Sequence, residues 1–418
     1  MEIPVQSEEV KKILEGMASD PQVAAALRFL EEDNEATVRE QMEIAAIPAP
    51  TFAEERRGEV YLSRLQKLGL EEVRRDAVGN VYGIRRGRGQ GPTIAVFAHL
   101  DTVFPLDTPV IPEMREGKIH GPGIADNSRG LAVILALLRA LDHGELDTEG
   151  DIMFGATVCE EGLGDLRGVK AFCADHPNLD GFIALEPGLH GLVTYGCTGS
   201  RRYSITYTGP GGHSFNDFGK PSAIHAMGRA IGRIADLQVP SEPKTTFTVG
   251  VVQGGSSVNS LAGEAEMLVD LRSTSAESLA KIEAEVLQLV ETSARDENER
   301  WNTDVIAATA KRVGDRPAGS QSVREAIVQT AAAAGKPLGV TPFTQGPKGT
   351  DANVPLSLGI PAITLGCGGD FGGVHSLKEW FDPQNAHLGP QQILLTILGL
   401  VGQRGANRPL LAERTMKR

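Results

Sequence analysis

Short apolar runs that stop abruptly at polar or glycine-rich loops recur along the chain: "NVYGI" at 80–84, "TIAVFA" at 93–98, "DIMFGATV" at 151–158, "GFIAL" at 181–185 and "PAITLG" at 361–366. Runs that are apolar throughout, and do not alternate with polar residues, mark strands buried on both faces, as in a parallel sheet. Between them the spacing predicts helices, notably "NSRGLAVILALLRALDHG" at 127–144, with Asn127 or Ser128 as N-cap and Gly144 as the stop. Strands alternating with helices predict an α/β fold, a mostly parallel sheet flanked by helices. The glycine-rich "RGRGQG" (86–91) lies between two of these strands and reads as a hairpin turn.

From about residue 200 the order changes to strand ("RRYSITYTG"), helix ("PSAIHAMGRAIGRIADL"), strand ("TTFTVGVVQGG"), strand ("AEMLVDLRS"), helix ("AESLAKIEAEVLQLVETSARDE") and strand ("NTDVIAATA"). That is the split βαβ order of a ferredoxin-like α+β domain. It predicts an insertion over 200–312, a discontinuous first domain over 1–199 and 313–418, and a return linker at "GDRPAGSQS" (314–322).

A chain of 418 residues, 41% of them hydrophobic, has ample material for two such cores. Its formal net charge of -13 argues against nucleic acid or anionic membrane as partner, because both are bound by neutralising phosphates with Lys and Arg. The N-terminal stretch is acidic and lacks the basic and apolar regions of a secretory signal, and "LAVILALL" (131–138) is far short of a bilayer span, so a cytoplasmic protein is expected. Four widely spaced cysteines, Cys159, Cys173, Cys197 and Cys367, read as reduced core residues.

In open α/β sheets the chemistry collects just beyond the carboxyl ends of the strands. There the predicted strands deliver His99 and Asp101, Glu160 and Glu161, Glu186, and His375, while Asp126 precedes the helix at 127–144. So many carboxylates in one cleft would repel one another and take up protons unless cations compensate them. Imidazoles with carboxylates suit zinc, with manganese or cobalt as competitors, and the donor count matches a dinuclear site with one bridging carboxylate. His99 is read as a ligand, with Asp101 accepting its other ring N–H. Strand alternation would point Glu160 and Glu161 different ways, one to the metal and one to water as general base.

The motifs "HLDT", "GPGIADNSRG", "EEGLGDLRG", "LEPG", "GPGGHS", "SVNS", "VDLRS", "GTDANVPLSLGIPAITLG" and "GGVHSLKEW" follow in an order and spacing that resemble one family through most of the chain. It is the co-catalytic zinc peptidase family of glutamate carboxypeptidase, aminoacylase, acetylornithine deacetylase, succinyl-diaminopimelate desuccinylase and peptidase T. The resemblance implies that His99 and Glu186 bind one metal, Glu161 and His375 a second, and that Asp126 bridges both. It makes Glu160 the general base and Asp101 the acid behind His99. The insertion becomes a lid and dimer interface, with His213 reaching the site of the neighbouring subunit in a homodimer, or in a higher oligomer built from dimers. Asn259 and Arg272 become substrate contacts, Arg272 gripping a carboxylate. Glu186 resembles the ligand of carboxypeptidase and N-acyl amino acid hydrolase members, whereas "DNSRG" and "GTDANVPLSLGIPAITLG" resemble the tripeptidase-like branches.

The function expected is hydrolysis of a C–N bond in a small substrate, a short peptide or N-acyl amino acid with a free carboxylate. Two rivals stand beside it: an aminohydrolase, deaminase or amidase using the same metals on a non-peptide C–N bond, and an inactive binding protein of the same fold. Thr350 and Asp351 are read as substrate neighbours, with a helix cap as the alternative for Asp351. The remaining histidines, His120, His143, His176, His190, His225 and His387, are read as structural.

Overall fold

In the computed structural model, which describes residues 1–5 and 7–414, the chain divides into two compact units. One comprises Met1–Cys197 and the chain from Gln321 onward; the other is Thr198–Ser320. The return to the first unit therefore falls later than the expected 312/313, and the stretch expected as a linker is partly strand. The last strand of the insertion runs Ala307–Arg316 because it stays in register with the strand Gly199–Thr208 as far as Ser200↔Arg316.

The first unit opens with helices α1 (Glu8–Ser19), α2 (Pro21–Glu32), α3 (Asn34–Ala45) and α4 (Glu55–Lys67). Local chemistry starts two of them: Ser7 Oγ accepts from Val10 N at 3.2 Å, and Asp20 Oδ1 accepts from Gln22 N at 3.0 Å, with Pro21 at the first helical position. Val10, Leu14 and Met17 of α1 fall on one stripe and are buried.

There follow β1 (Glu71–Arg75), β2 (Val81–Arg85), β3 (Ile94–His99), β4 (Glu113–Arg115), β5 (Lys118–His120), α5 (Ser128–His143), β6 (Ile152–Thr157), α6 (Arg167–Asp175), β7 (Gly181–Glu186) and β8 (Val193–Thr194). The main sheet has the order β1-β2-β6-β3-β7, then the strand Ala362–Gly366, then β8. Its centre is parallel, with β3 between β6 and β7, and β2 joins β6 antiparallel. Since β6 lies between β2 and β3, "RGRGQG" is a crossover and not the expected hairpin. It runs against 148–151, with Gly87 N donating to Asp151 Oδ1 at 2.7 Å, and a Cβ at Gly87 would come within 2.4 Å of Gly150 O.

Side chains of β3 alternate between two cores. Ile94, Val96 and Ala98 join the cluster containing α5 and the helix Leu388–Val401, while Ala95 and Phe97 join Phe172 and Phe182 on the other face. A second, small sheet pairs the strand Trp380–Asp382 with β5, Trp380 opposite His120 and Phe381 opposite Ile119.

The inserted unit has an antiparallel sheet in the order Thr245–Gly254, Glu264–Ser273, Gly199–Thr208, Ala307–Arg316. Helices Ala223–Ala235 and Ala276–Arg300 cover the face that carries Ile205, Tyr207, Met267, Val269 and Leu271. This is the expected ferredoxin-like arrangement. No helix among the described residues is long and apolar enough to cross a membrane.

Candidate active site

The functional groups stand at or beyond the carboxyl ends of the central strands. β3 ends on His99, β7 ends on Glu186, the loop after β6 carries Glu160 and Glu161, and the loop beyond Ala362–Gly366 carries His375. Asp126 stands just before α5, whose N-cap Asn127 accepts from Gly130 N and donates to Leu185 O at 2.7 Å, tying the loop to β7.

These side chains meet. His99 Nε2 lies 2.9 Å from Asp126 Oδ1 and 3.7 Å from Glu186 Oε2. His375 Nε2 lies 3.2 Å from Asp126 Oδ2 and 2.7 Å from Glu161 Oε1. Asp126 thus turns one oxygen to each imidazole. In each half, His99 with Asp126 and Glu186, or His375 with Asp126 and Glu161, one donor atom from every residue lies within 4.8 Å of the others.

The set fits divalent cations. Tetrahedral bonds of ~2.0 Å hold donor atoms ~3.3 Å apart, and the four imidazole–carboxylate separations run from 2.7 to 3.7 Å around that value. Electrostatics agree. Burial by itself would favour neutral His99, yet Glu186, Asp101 and Asp126 outweigh it and hold its pKa well above the usual imidazole value. Hydrogen bonds to Asp126 and Glu161 raise His375 to about 10. Burial pushes Glu186 up to about 7 in spite of His99. Burial likewise works to raise Asp126, but the hydrogen bonds from both imidazoles hold it well below the usual carboxylate range. Protons on the histidines thus offset the acids, and a cation that replaced them would leave the same atoms as neutral imidazole and carboxylate ligands.

Two expectations about the site are corrected. The Nδ1 of His99 faces the backbone carbonyl of Asp101 at 2.9 Å, while the Asp101 carboxylate is 3.6 Å away. That carboxylate is engaged elsewhere: it accepts from Glu160 N at 2.9 Å, Glu161 N at 3.0 Å and Thr51 Oγ1 at 2.8 Å. Asp101 therefore anchors the Glu160–Glu161 peptide as well as neighbouring His99. Nor does strand alternation part the two glutamates. β6 stops at Thr157, Cys159 takes a φ of 57°, and both glutamates are buried, each with a carboxylate oxygen within 4.8 Å of a His99 nitrogen. Glu161 also meets His375 Nε2, at 2.7 Å.

Several residues that hold the site had no readable signal. Glu54 Oε1 accepts from Cys159 N at 3.0 Å, Thr51 reaches Asp101, and the buried Glu379 carboxylate accepts from three N–H groups of the Asp126 loop. Each pairing joins residues separated by 50 or more positions, which no local pattern can reveal. The helix Asn353–Ser357 has Ala352 at its N-cap, and Asp351 is engaged at the sheet. Asp351 accepts from Thr157 Oγ1 at the end of β6, while Thr350 Oγ1 accepts from Ala352 N.

In the inserted unit, His213 pairs with Ser260 in a two-stranded ribbon, and Asn259 O accepts from Ser214 N at 2.9 Å. The N–H groups of Phe215 and Asn216 point at His213 Nδ1, so the neutral ring carries its proton on Nε2. Arg272 is half-exposed and paired with Asp270 at 2.6 Å.

A model of the peptidase family M20/M25/M40 matches residues 95–397. Succinyl-diaminopimelate desuccinylase of Nitrosospira multiformis is 27% identical over 263 residues, covering 58% of this chain and 69% of that one. Among solved structures, aminopeptidase PepT from Bacillus cereus superposes with a TM-score of 0.72 at 24% identity, over 87% of this chain and 98% of that one. A dinuclear metal-binding peptidase from Bacillus subtilis superposes with a TM-score of 0.66 at 18% identity, over 88% and 99%. These structures share the fold.

Proposed function

The chain belongs to the peptidase family M20/M25/M40 and is a metal-dependent hydrolase of peptide or amide C–N bonds, and we propose that its substrate is a short peptide or N-acyl amino acid with a free carboxylate. The observation that carries the reading is Asp126, whose two oxygens face two different imidazoles, each with a further carboxylate beside it. His99 and Glu186 would hold one ion and His375 and Glu161 the other, with one oxygen of Asp126 available to each half. Bound cations, zinc before manganese or cobalt, would polarise the scissile carbonyl and acidify a water.

The residues of the chain supply the rest. Glu160 takes the proton of the attacking water and delivers it to the leaving nitrogen as the C–N bond breaks. Asp101 holds the Glu160 and Glu161 peptides in place through its two accepted N–H bonds. His213, contributed by the second subunit of a homodimer, donates from Nε2 to the oxyanion that develops on the carbonyl. Dimerisation would pair the edge strand Thr245–Gly254, whose Val251 and Val252 are exposed, with its copy. Asn259, beside His213, contacts the substrate, and the planar fork of Arg272 exchanges Asp270 for the substrate carboxylate.

The test is a panel of dipeptides, tripeptides, N-acyl amino acids and non-peptide amides assayed with zinc, manganese and cobalt, before and after chelation. Turnover of a carboxylate-bearing peptide or N-acyl amino acid, lost on chelation and restored by metal, is expected. Full activity in protein shown to be metal-free would refute the reading, and cleavage confined to non-peptide amides would reassign the substrate.

A further inference from the structure

Glu379 sits outside the donor set, yet it is fully buried, and among the described residues it forms no ion pair. Its carboxylate accepts three hydrogen bonds, all from the loop that presents Asp126. Oε2 takes Gly123 N at 2.9 Å, and Oε1 takes Ala125 N at 2.8 Å and Asp126 N at 3.0 Å. The Glu379 carbonyl accepts a fourth, from Gly121 N at 3.1 Å. The small sheet explains how the two segments meet. Trp380 opposite His120 and Phe381 opposite Ile119 zip 380–381 against β5, so that the chain leaving β5 curls over Glu379.

The same segment also carries His375, which touches the Asp126 side chain at Oδ2. Four residues apart, His375 and Glu379 hold Asp126 by its carboxylate and by its own peptide N–H. Burying a carboxylate without a cation is costly unless hydrogen bonds and nearby positive charge offset it. A neutral acceptor would suffice if the task were only to tie down a loop. An acceptor with no donor of its own is what three converging N–H groups require.

We propose that Glu379 is a positioning residue for metal binding: it sets the loop of Asp126 so that the two oxygens of that carboxylate face the two halves of the site before any ion arrives. The inference rests on the dinuclear reading above.

Its test is metal affinity, measured by competition with a chromogenic chelator on the metal-stripped full chain, using zinc and manganese separately. Glu379→Gln keeps the size but turns an NH2 group toward the loop, and it should weaken binding by ~10- to 100-fold, the range seen when groups that orient ligands are changed. Gln41→Leu is the control. Its amide donates to Ile124 O at 2.8 Å in the same loop and contacts no N–H of Asp126, so its affinity should stay close to wild type. Urea unfolding of each metal-free variant is measured alongside. Unchanged affinity in Glu379→Gln would overturn the proposal, and so would affinity falling in step with stability in both variants. Should Glu379→Gln fail to fold, Glu379→Asp keeps the charge but ends one methylene short, and wild-type affinity there would overturn it equally. A wild type that binds no metal would instead bring down the dinuclear reading itself.

Discussion

Replacing Asp101 by asparagine removes a charge while keeping the side chain's shape, and the hydrogen bonds around it allow the cost to be worked out. The carboxylate is fully buried and accepts from Glu160 N, Glu161 N and Thr51 Oγ1. An asparagine oxygen can stand in for only one of the two carboxylate oxygens. If the amide nitrogen replaces Oδ1, the Glu160 N–H faces a donor; if it replaces Oδ2, the Glu161 N–H does. Either orientation orphans one buried N–H, at ~1–3 kcal/mol, and the surviving bonds lose the charge assistance worth ~1 kcal/mol each. The total is about 3 to 5 kcal/mol, with no discount for solvent because the group is buried. The expected result is a matching loss in urea unfolding of metal-free protein. Because the Glu160 peptide is no longer pinned, turnover should also fall by ~100-fold or more, the cost of misplacing a reacting group by about 1 Å. Thr51→Val removes only the neutral donor, and should cost about 1 kcal/mol and leave turnover within a few-fold. Asp101→Asn within about 1 kcal/mol of wild type, or Thr51→Val as damaging in turnover, would refute the anchoring role.

Glu160→Gln should cut turnover by ~100-fold or more with metal content near wild type, whereas Glu161→Gln, which loses the partner of His375, should lower metal content; the reverse pattern would exchange the two roles. Mixing His213→Ala chains with Glu160→Gln chains should restore activity toward about a quarter of wild type, since random exchange rebuilds one complete site in each heterodimer. No recovery despite proven exchange would confine His213 to its own chain. Arg272→Lys should raise KM far more than it lowers kcat for substrates with a free carboxylate, because a lysine cannot make the two-point grip; equal activity on amidated substrates would show that no such grip exists.

Much of this site could be read from the chain because most of its ionisable groups fall where a buried strand runs out, and Asp126 falls just ahead of a helix. The apolar run ending at His99 and the run ending at Glu186 are local signals, and buried strands in a parallel sheet carry their chemistry at one end. The ferredoxin-like insertion was legible for the same reason: alternation in Ile205, Tyr207, Met267, Val269 and Leu271 records a sheet with one covered face. The end of the insertion carries no such signal, because Lys311, Arg312 and Asp315 in the last strand are polar and pairing with Gly199–Thr208 keeps that stretch extended. The starts of α1 and α2 are local signals too, in the caps at Ser7 and Asp20.

What the sequence determined by itself is the inventory: which ionisable side chains stand at strand ends, and that two histidines among so many acids make up a donor set suited to cations. What the tertiary structure decided is where those groups point and what holds them. That β6 enters the sheet between β2 and β3 turned an apparent hairpin into a crossover. The left-handed turn at Cys159 brought Glu160 and Glu161 toward the same imidazole, against strand alternation. Asp101 spends its carboxylate on the backbone of that turn, and Glu379 spends its own on the loop of Asp126. The physical reason is shared. A carboxylate accepts from whichever N–H groups folding brings within about 3 Å, and those groups belong to residues dozens to hundreds of positions away, where composition and periodicity carry no information.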